Sequence, residues 1–383
     1  MKLGKQKCNN KISIFAQRAK FFIIDEISMN GKGKLHDMHT KLGYNMGDNG
    51  DDHIFGNRSF IFAGDFQQLP PIGDVCLLSN SRPTDKNLFG HIVFQKITHY
   101  FELTDQKRQD DDEYLKVLRN IRNSTVTEDD YNFLKKHCTL NIQFDSPSKM
   151  DIAYLIDTKI IVSQNMKRVL WNRNLARKYA VYHEKPLHIC NAIDEMHHTL
   201  NLQIKEDLKT KLLKHLQPTL HLVIGMPIVI LQNLYKYLRV NNGSEGILRN
   251  VIYNTNDRII ALQIEIIGGN FHIPSLPANQ IYVTRETISG MVDFGNDIYQ
   301  MRRSQFPVSE GFCLTDYKVQ GATLPKAIVD LKGSKGVSAY VKLSRTKNRA
   351  TTRILDGFTK DDLIIKVPDG YKVSNFLLTL INN

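Results

Sequence analysis

Cysteine is scarce in this chain. Five residues, Cys8, Cys76, Cys138, Cys190 and Cys313, are spread over 383 positions, and none forms a CxxC pair. Neither a zinc site nor a disulfide framework is indicated, and reduced, intracellular thiols are expected. His36-x-x-His39 and His197-His198 lack further ligands at metal-site spacing and read as solvated loop histidines. Long apolar runs are missing too. The longest, Leu222 to Leu231, is interrupted by Gly225 and Pro227. It falls well short of the ~20 residues that cross a bilayer, so no membrane partner is expected. The start, Met1-Lys2-Leu3-Gly4-Lys5-Gln6-Lys7, has charge but no apolar core behind it, so it is no secretory signal. Repeats and low-complexity segments are absent. One further absence is specific: no Gly-Lys-Ser or Gly-Lys-Thr occurs in the 383 residues. Gly4-Lys5-Gln6 and Gly31-Lys32-Gly33-Lys34 have no strand leading into them and read as loops.

What is present begins with charge. Lys and Arg number 51 against 39 Asp and Glu, a formal net charge of +12. That balance favours a polyanionic partner, nucleic acid first. The excess is uneven. Lys159, Lys167, Arg168, Arg173, Arg177 and Lys178 face only Glu184 nearby. Lys326, Lys332, Lys335, Lys342, Arg345, Lys347, Arg349 and Arg353 face only Asp330. Two basic segments within a folded region suggest a groove.

Phe21-Phe22-Ile23-Ile24 runs straight into Asp25-Glu26-Ile27-Ser28-Met29. A continuous apolar run suits a strand buried on both faces of a parallel sheet. Open α/β sheets bind ligands at the carboxyl ends of such strands, where the two acids emerge. Alone, the pair could be a solvated strand end. A second run, Ser59-Phe60-Ile61-Phe62-Ala63, ends in Gly64-Asp65-Phe66-Gln67-Gln68-Leu69-Pro70-Pro71. A polar, Gly-rich loop, about 30–57, separates the two.

Helical spacing marks Asp111 to Arg122, and Thr127 opens another helix with acids in its first turn. A strand at Lys159 to Val162 precedes a basic helix from about Gln164 to Tyr179. From about Leu220 to Thr287, short apolar runs alternate with turn signals, as in a small antiparallel β module. After it a short helix near Asp316, a strand at Ala327 to Leu331, a helix near Ala339 and a strand around Ile354 restore α/β texture.

Three more elements complete a series: Leu103-Thr104-Asp105-Gln106-Lys107-Arg108-Gln109, Thr315-Asp316-Tyr317-Lys318-Val319-Gln320-Gly321-Ala322-Thr323-Leu324, and Tyr340-Val341-Lys342-Leu343-Ser344-Arg345. In this order the five resemble the motifs of superfamily-one helicases, closest to the petite-integration-frequency (Pif-one) DNA helicases and their Helitron-transposon relatives. That family's pattern includes DEISM, GDFxQLPP, an L…RQ element, TxxKxQGxTL and YVxLSR. Ser163-Gln164-Asn165 with Asn172, the strand Ile224-Gly225-Met226-Pro227-Ile228-Val229, and the turn Asn242-Gly243-Ser244-Glu245-Gly246 agree with it as well.

The resemblance implies an α/β fold: tandem RecA-like parallel sheets, the first incomplete, with a small SH3-like β insertion in the second. The units would be 1–105, 106–219 with 306–383, and 220–305. It implies an ATP-dependent DNA helicase that moves 5′ to 3′, with ATP and Mg²⁺ as cofactors. Asp25 would hold Mg²⁺ through water, and Glu26 would polarise the attacking water. Gln68 would sense the γ-phosphate, and Arg108 and Arg345 would be arginine fingers. Thr315, Lys318, Gln320 and Gly321 would couple nucleotide to DNA. Asn165, Lys167, Arg168 and Lys342 would touch the strand, with salt-sensitive binding. Partners would be single-stranded or forked DNA, the state a monomer, and the location nucleus or mitochondrion.

The family carries a GxxGxGK[ST] phosphate loop several dozen residues before its acid motif. Only 24 residues precede Asp25 here, and none forms that loop. Tyr317 replaces the family's usual His, and Lys342 a small apolar residue. Two readings follow: a helicase whose N-terminal part is cut off, or a remnant that binds nucleic acid or a partner without turning over ATP. The first sheet would carry an exposed edge and apolar surface. Trp171, on the basic helix, would pack in the core or stack on a base.

Overall fold

The computed structural model describes residues 18–45, 54–140, 142, 147–197, 216–294, 297–334 and 337–365. Strands β1 (Phe21–Ile24) and β2 (Ser59–Phe62) pair in parallel, Phe21 opposite Ser59 and Ile24 opposite Phe62. Their side chains alternate in burial. Phe22, Ile24, Phe60 and Phe62 are half-buried, and all but Phe22 pack on Ile27, Leu35, Phe55, Leu77, Val93 and Phe94. Phe21, Ile23 and Ile61 are 58%, 61% and 54% exposed, so among the described residues only one face of this sheet is covered. That corrects the expectation of a strand buried on both faces and matches the expected exposed apolar surface.

The region read as a loop contains helix α1 (Lys32–Asn45), which packs against α2 (Asp85–Phe94). Leu35, Met38 and Leu42 give α1 a thin apolar stripe on an otherwise polar, glycine-containing helix. His36 and His39 sit on it, half-buried, rather than in a loop. His39 Nδ1 accepts the Phe55 N–H at 3.0 Å.

Helices α3 (Asp112–Arg122), α4 (Glu128–Cys138) and α5 (Lys149–Asp157) lead to β3 (Lys159–Val162) and the long α6 (Asn165–Tyr182). Thr127 caps α4 in a reciprocal capping box with Asp130. An antiparallel region follows. In it β4 (His188–Asn191) pairs with β6 (Thr219–Leu222), and β5 (Ile193–His197) with β12 (Asp297–Gln305), itself paired to β11 (Glu286–Phe294). A five-stranded sheet runs β10 (Gln280–Val283), β9 (Ile259–Ile266), β8 (Glu245–Tyr253), β7 (Pro227–Ile230), β13 (Val308–Glu310). Antiparallel strands thus occur from His188 to Glu310, beyond the 220–305 span.

The chain then returns through β14 (Cys313–Thr315), α7 (Asp316–Val319), β15 (Ala327–Val329), α8 (Ser338–Leu343) and β16 (Thr352–Ile354). The order β14-β3-β15-β16 is all parallel. This sheet is buried on both faces. Ile160, Val162, Ile328 and Cys313 face the core shared with α6 and the antiparallel strands; Ile161, Val329 and Leu314 face the core with α3, α4 and α8. Asn172 closes its β14 edge, accepting the Cys313 N–H at 2.7 Å and donating to the Cys313 carbonyl at 3.1 Å. Trp171 packs on the first of these cores.

Candidate functional site: two acidic loops facing two arginines

β1 and β2 end side by side. The Ile27 N–H donates to the Ala63 carbonyl at 2.9 Å, extending the ladder past both strands. Asp25 is exposed there and accepts the Glu26 N–H at 2.8 Å. Glu26 holds a left-handed backbone (φ 51°, ψ 46°), an arrangement that costs a non-glycine residue about 1–3 kcal/mol. Gly64 permits the close approach, since a Cβ there would meet the Ile27 nitrogen at 2.8 Å. Asp65 Oδ1 accepts the Gln67 N–H at 2.9 Å, and Oδ2 accepts from Gln68 Nε2 at 3.4 Å.

The elements after α2 face these acids. Gln320 Nε2 donates to Glu26 Oε2 at 2.7 Å. Gly321 adopts φ +78°, and a Cβ on it would lie 3.0 Å from Glu26 Oε1. The Tyr317 hydroxyl donates to the Pro70 carbonyl at 3.2 Å, and Arg122 pairs with Asp65 at 3.1 Å. Burial pulls the Arg122 pKa down, but the hydrogen bond and charge of Asp65 outweigh it and the pKa is raised. Arg108 donates from Nε to Thr323 Oγ1 at 3.0 Å and from Nη1 to the Ser344 carbonyl at 3.2 Å. The acid motif, the GDFxQLPP element, the RQ element and the TxxKxQG element therefore share one gap. Arg122, Thr323 and Ser344 were not singled out from sequence. Arg122 ends an ordinary amphipathic helix, and no spacing marks it.

Two predicted residues, an arginine finger and a strand-contacting lysine, are buried. Arg345 is 1% exposed. Its Nε donates to the Val341 carbonyl at 2.7 Å and its Nη2 to Ser344 Oγ at 2.7 Å, with Nη1 3.4 Å from the Val319 and Ala322 carbonyls. Burial, followed by the nearby Arg108 charge, lowers its pKa to about 10. Lys342 is wholly buried, so it cannot touch a DNA phosphate as expected. Its Nζ donates to the Asp330 carbonyl at 2.7 Å and Ser334 Oγ at 2.8 Å, and burial lowers its pKa to about 8.

The candidate strand-contacting residues gather at the carboxyl edge of the parallel sheet. Thr315 ends β14, and Asn165 opens α6 just past β3. Asn165 Oδ1 accepts from Arg168 Nε at 3.4 Å, and Arg168 Nη1 donates to Ser309 Oγ at 2.9 Å. Lys167 Nζ reaches Asp330 Oδ2 at 2.6 Å, and Lys318 donates to Asn242 Oδ1 on the turn before β8. The two basic segments are less of a groove than their charge suggested. Lys159 pairs with Glu245, Lys326 with Asp157, and Arg349 with Asp111 and Glu113.

Among the described residues, Gln68 Oε1 and Gln320 Oε1 are buried acceptors without a donor. Such atoms call for a donor from outside the protein, such as water or a ligand hydroxyl. With exposed Asp25, they fit donors such as metal-bound or attacking water beside a nucleotide's terminal phosphate. A phosphate cradle is not offered by α1. The N–H groups of Gly33 and Lys34 at its start already donate to Asp74, at 3.1 and 2.9 Å, and Lys32 is buried on the Ser79 and Ser81 carbonyls.

The PIF1-like helicase profile matches residues 3–132. The ATP-dependent DNA helicase PIF1 of Xenopus laevis is 24% identical over 344 residues, 88% of this chain and 46% of that protein. The Pif1 helicase of Campylobacter jejuni is 23% identical over 390 residues, 96% of this chain and 78% of that one. The chain is similar to PIF1-like helicases over residues 3–132 and to these relatives over most of its length. It spans about half the length of the Xenopus laevis and Emericella nidulans relatives, 46% and 49%. Bacteroides Pif1 bound to ADP-AlF3 and single-stranded DNA superposes with a TM-score of 0.70 at 21% identity, over all of this chain and 80% of that one. A structure of two Pif1 helicases coordinating at forked DNA gives 0.71 at 21%, covering 100% and 79%. The fold is thus that of the RecA-like α/β helicases.

Proposed function

We propose that this chain is the motor portion of an ATP-dependent 5′–3′ DNA helicase of the Pif1 type. Residues 1–105 would be one RecA-like unit, 106–219 with 306–383 the second, and 220–305 an SH3-like insertion. The observation that carries the reading is the Gln320–Glu26 hydrogen bond, 2.7 Å, across the gap. It ties the element read as DNA-coupling to the acid read as water-activating.

In this reading Asp25 holds Mg²⁺ through water, and the ion neutralises phosphate charge when bound. Glu26 accepts a proton from the attacking water, while Gln320 fixes the orientation of its carboxylate. Gln68 would sense the terminal phosphate. Arg108 would be the arginine finger from the second unit. Arg345 supports that unit from inside: its guanidinium gathers the Val319, Ala322 and Val341 carbonyls and so shapes the loop carrying Gln320 and Gly321. Single-stranded DNA crosses the carboxyl edge near Thr315, Lys318, Asn165, Lys167 and Arg168. A second reading, an inactive remnant that holds nucleic acid, draws on the missing Gly-Lys-Ser/Thr and on Asp74 occupying the start of α1.

The test is ATP turnover by the purified chain with and without single-stranded DNA, beside Glu26→Gln and Arg108→Ala. DNA-stimulated turnover lost in both variants supports the motor. No turnover above Glu26→Gln, in folded protein that still binds DNA, supports the remnant.

A further inference from the structure

Arg122 stands at the last turn of α3, and its guanidinium crosses to the acid-bearing unit. Nε donates to Asp65 Oδ2 at 3.3 Å and Nη2 to Oδ1 at 3.1 Å. The same two oxygens organise the loop of Asp65 itself: Oδ1 takes the Gln67 N–H and Oδ2 the Gln68 side-chain amide. One carboxylate therefore joins a guanidinium of one unit to the amide of the other. We propose that Arg122 is a positioning residue that, through Asp65, sets the 65–68 loop and the Gln68 side chain when the two units are closed.

The physical argument is one of orientation. A planar guanidinium gripping both oxygens fixes the plane of a carboxylate, which a point charge does not. With that plane fixed, Oδ1 stays on the Gln67 N–H and Oδ2 on the Gln68 amide. The far end of that amide, Gln68 Oε1, has no donor, so Asp65 is what aims the side chain among the described residues. Opening the gap would carry Arg122 away and free Asp65 to turn into solvent. Gln68 would then lose its aim. The pair is partly exposed, 36% and 23% for the two side chains, so salt weakens it. Closure and sensor placement become one event. This inference rests on reading Gln68 as the γ-phosphate sensor.

Hydrogen–deuterium exchange of the full chain without nucleotide tests it, following the Gln67 and Gln68 backbone amides. Arg122→Ala is expected to speed both about fivefold, the scale of a partly exposed bidentate pair. Asp65→Asn should match it, and Arg122→Lys should fall between, keeping charge but losing the fork. Wild-type exchange rates in Arg122→Ala, with faster exchange in Asp65→Asn, would overturn the inference. So would faster exchange spread evenly over β1, β2 and α1, which means general loosening. Because no nucleotide is present, a chain that lacks ATPase activity but shows the expected pattern keeps the Arg122–Asp65 device and loses only the motor reading.

Discussion

The acid-bearing unit and the arginine-bearing unit handle charge in opposite ways. Among the described residues, Asp25 stands exposed at the end of a two-stranded sheet with one apolar face open, and Glu26 beside it holds a strained left-handed backbone. In the second unit the parallel sheet is buried on both faces, and two motif cations lie inside it. Lys342 and Arg345 point their donors at backbone carbonyls and serine hydroxyls. A motif residue of obvious chemical character can thus be scaffold. What separates the roles is burial: Lys342 and Arg345 are closed off from solvent, while Asp25 is exposed.

The largest break in this comparison is expected in the second core. Ile161→Ala, on the central strand β3 where Ile161 is fully buried, should cost about 2–5 kcal/mol in urea unfolding. Next comes Gly321→Ala, with its positive φ and its neighbour Glu26. It should cost about 1–2 kcal/mol and speed amide exchange at Ile27 to Asn30, as the Gln320–Glu26 contact is pushed apart.

A pH series sharpens the case of Lys342. Burial lowers its pKa from 10.5 to about 8 in the folded chain. Between those values the unfolded chain binds more protons, so this residue contributes rising stability as pH climbs from about 8 to 10.5. The buried Cys138 thiol, pushed up from 9.0 to about 12, works in the opposite direction. Comparison with Lys342→Met cancels that effect. Wild-type stability minus that of the variant should grow across the window. The smallest effect is expected on the open face of β1 and β2. Ile23→Thr should change stability by no more than about 0.5 kcal/mol, because Ile23 is already 61% exposed.

Much of this was legible in the sequence. Apolar runs ending in acids located β1, β2 and the gap. Thr127, with acids behind it, announced α4, and the apolar run at Lys159 to Val162 announced β3. Helix α1 was hidden because its stripe is only Leu35, Met38 and Leu42 among polar residues and glycines. An open apolar surface on the first sheet was expected, but not that Phe21 and Ile23 form it, because both read as buried within a continuous apolar run. Basic segments read as a groove because sequence spacing does not show that Lys159 meets Glu245 or that Arg349 meets Asp111. Arg122 carried no signal, since its partner Asp65 lies 57 positions away.

The division of labour between the two units is tested most directly by one urea-unfolding experiment on Glu26→Gln and Arg345→Ala side by side. Glu26→Gln should unfold within about 0.5 kcal/mol of wild type, because the half-buried side chain keeps an oxygen that accepts from the Gln320 amide. Arg345→Ala should lose about 3 kcal/mol, because it empties the space of a fully buried side chain and takes a donor from the Val341 and Ala322 carbonyls. An Arg345→Ala protein as stable as wild type would contradict the account and return Arg345 to the gap as a candidate finger.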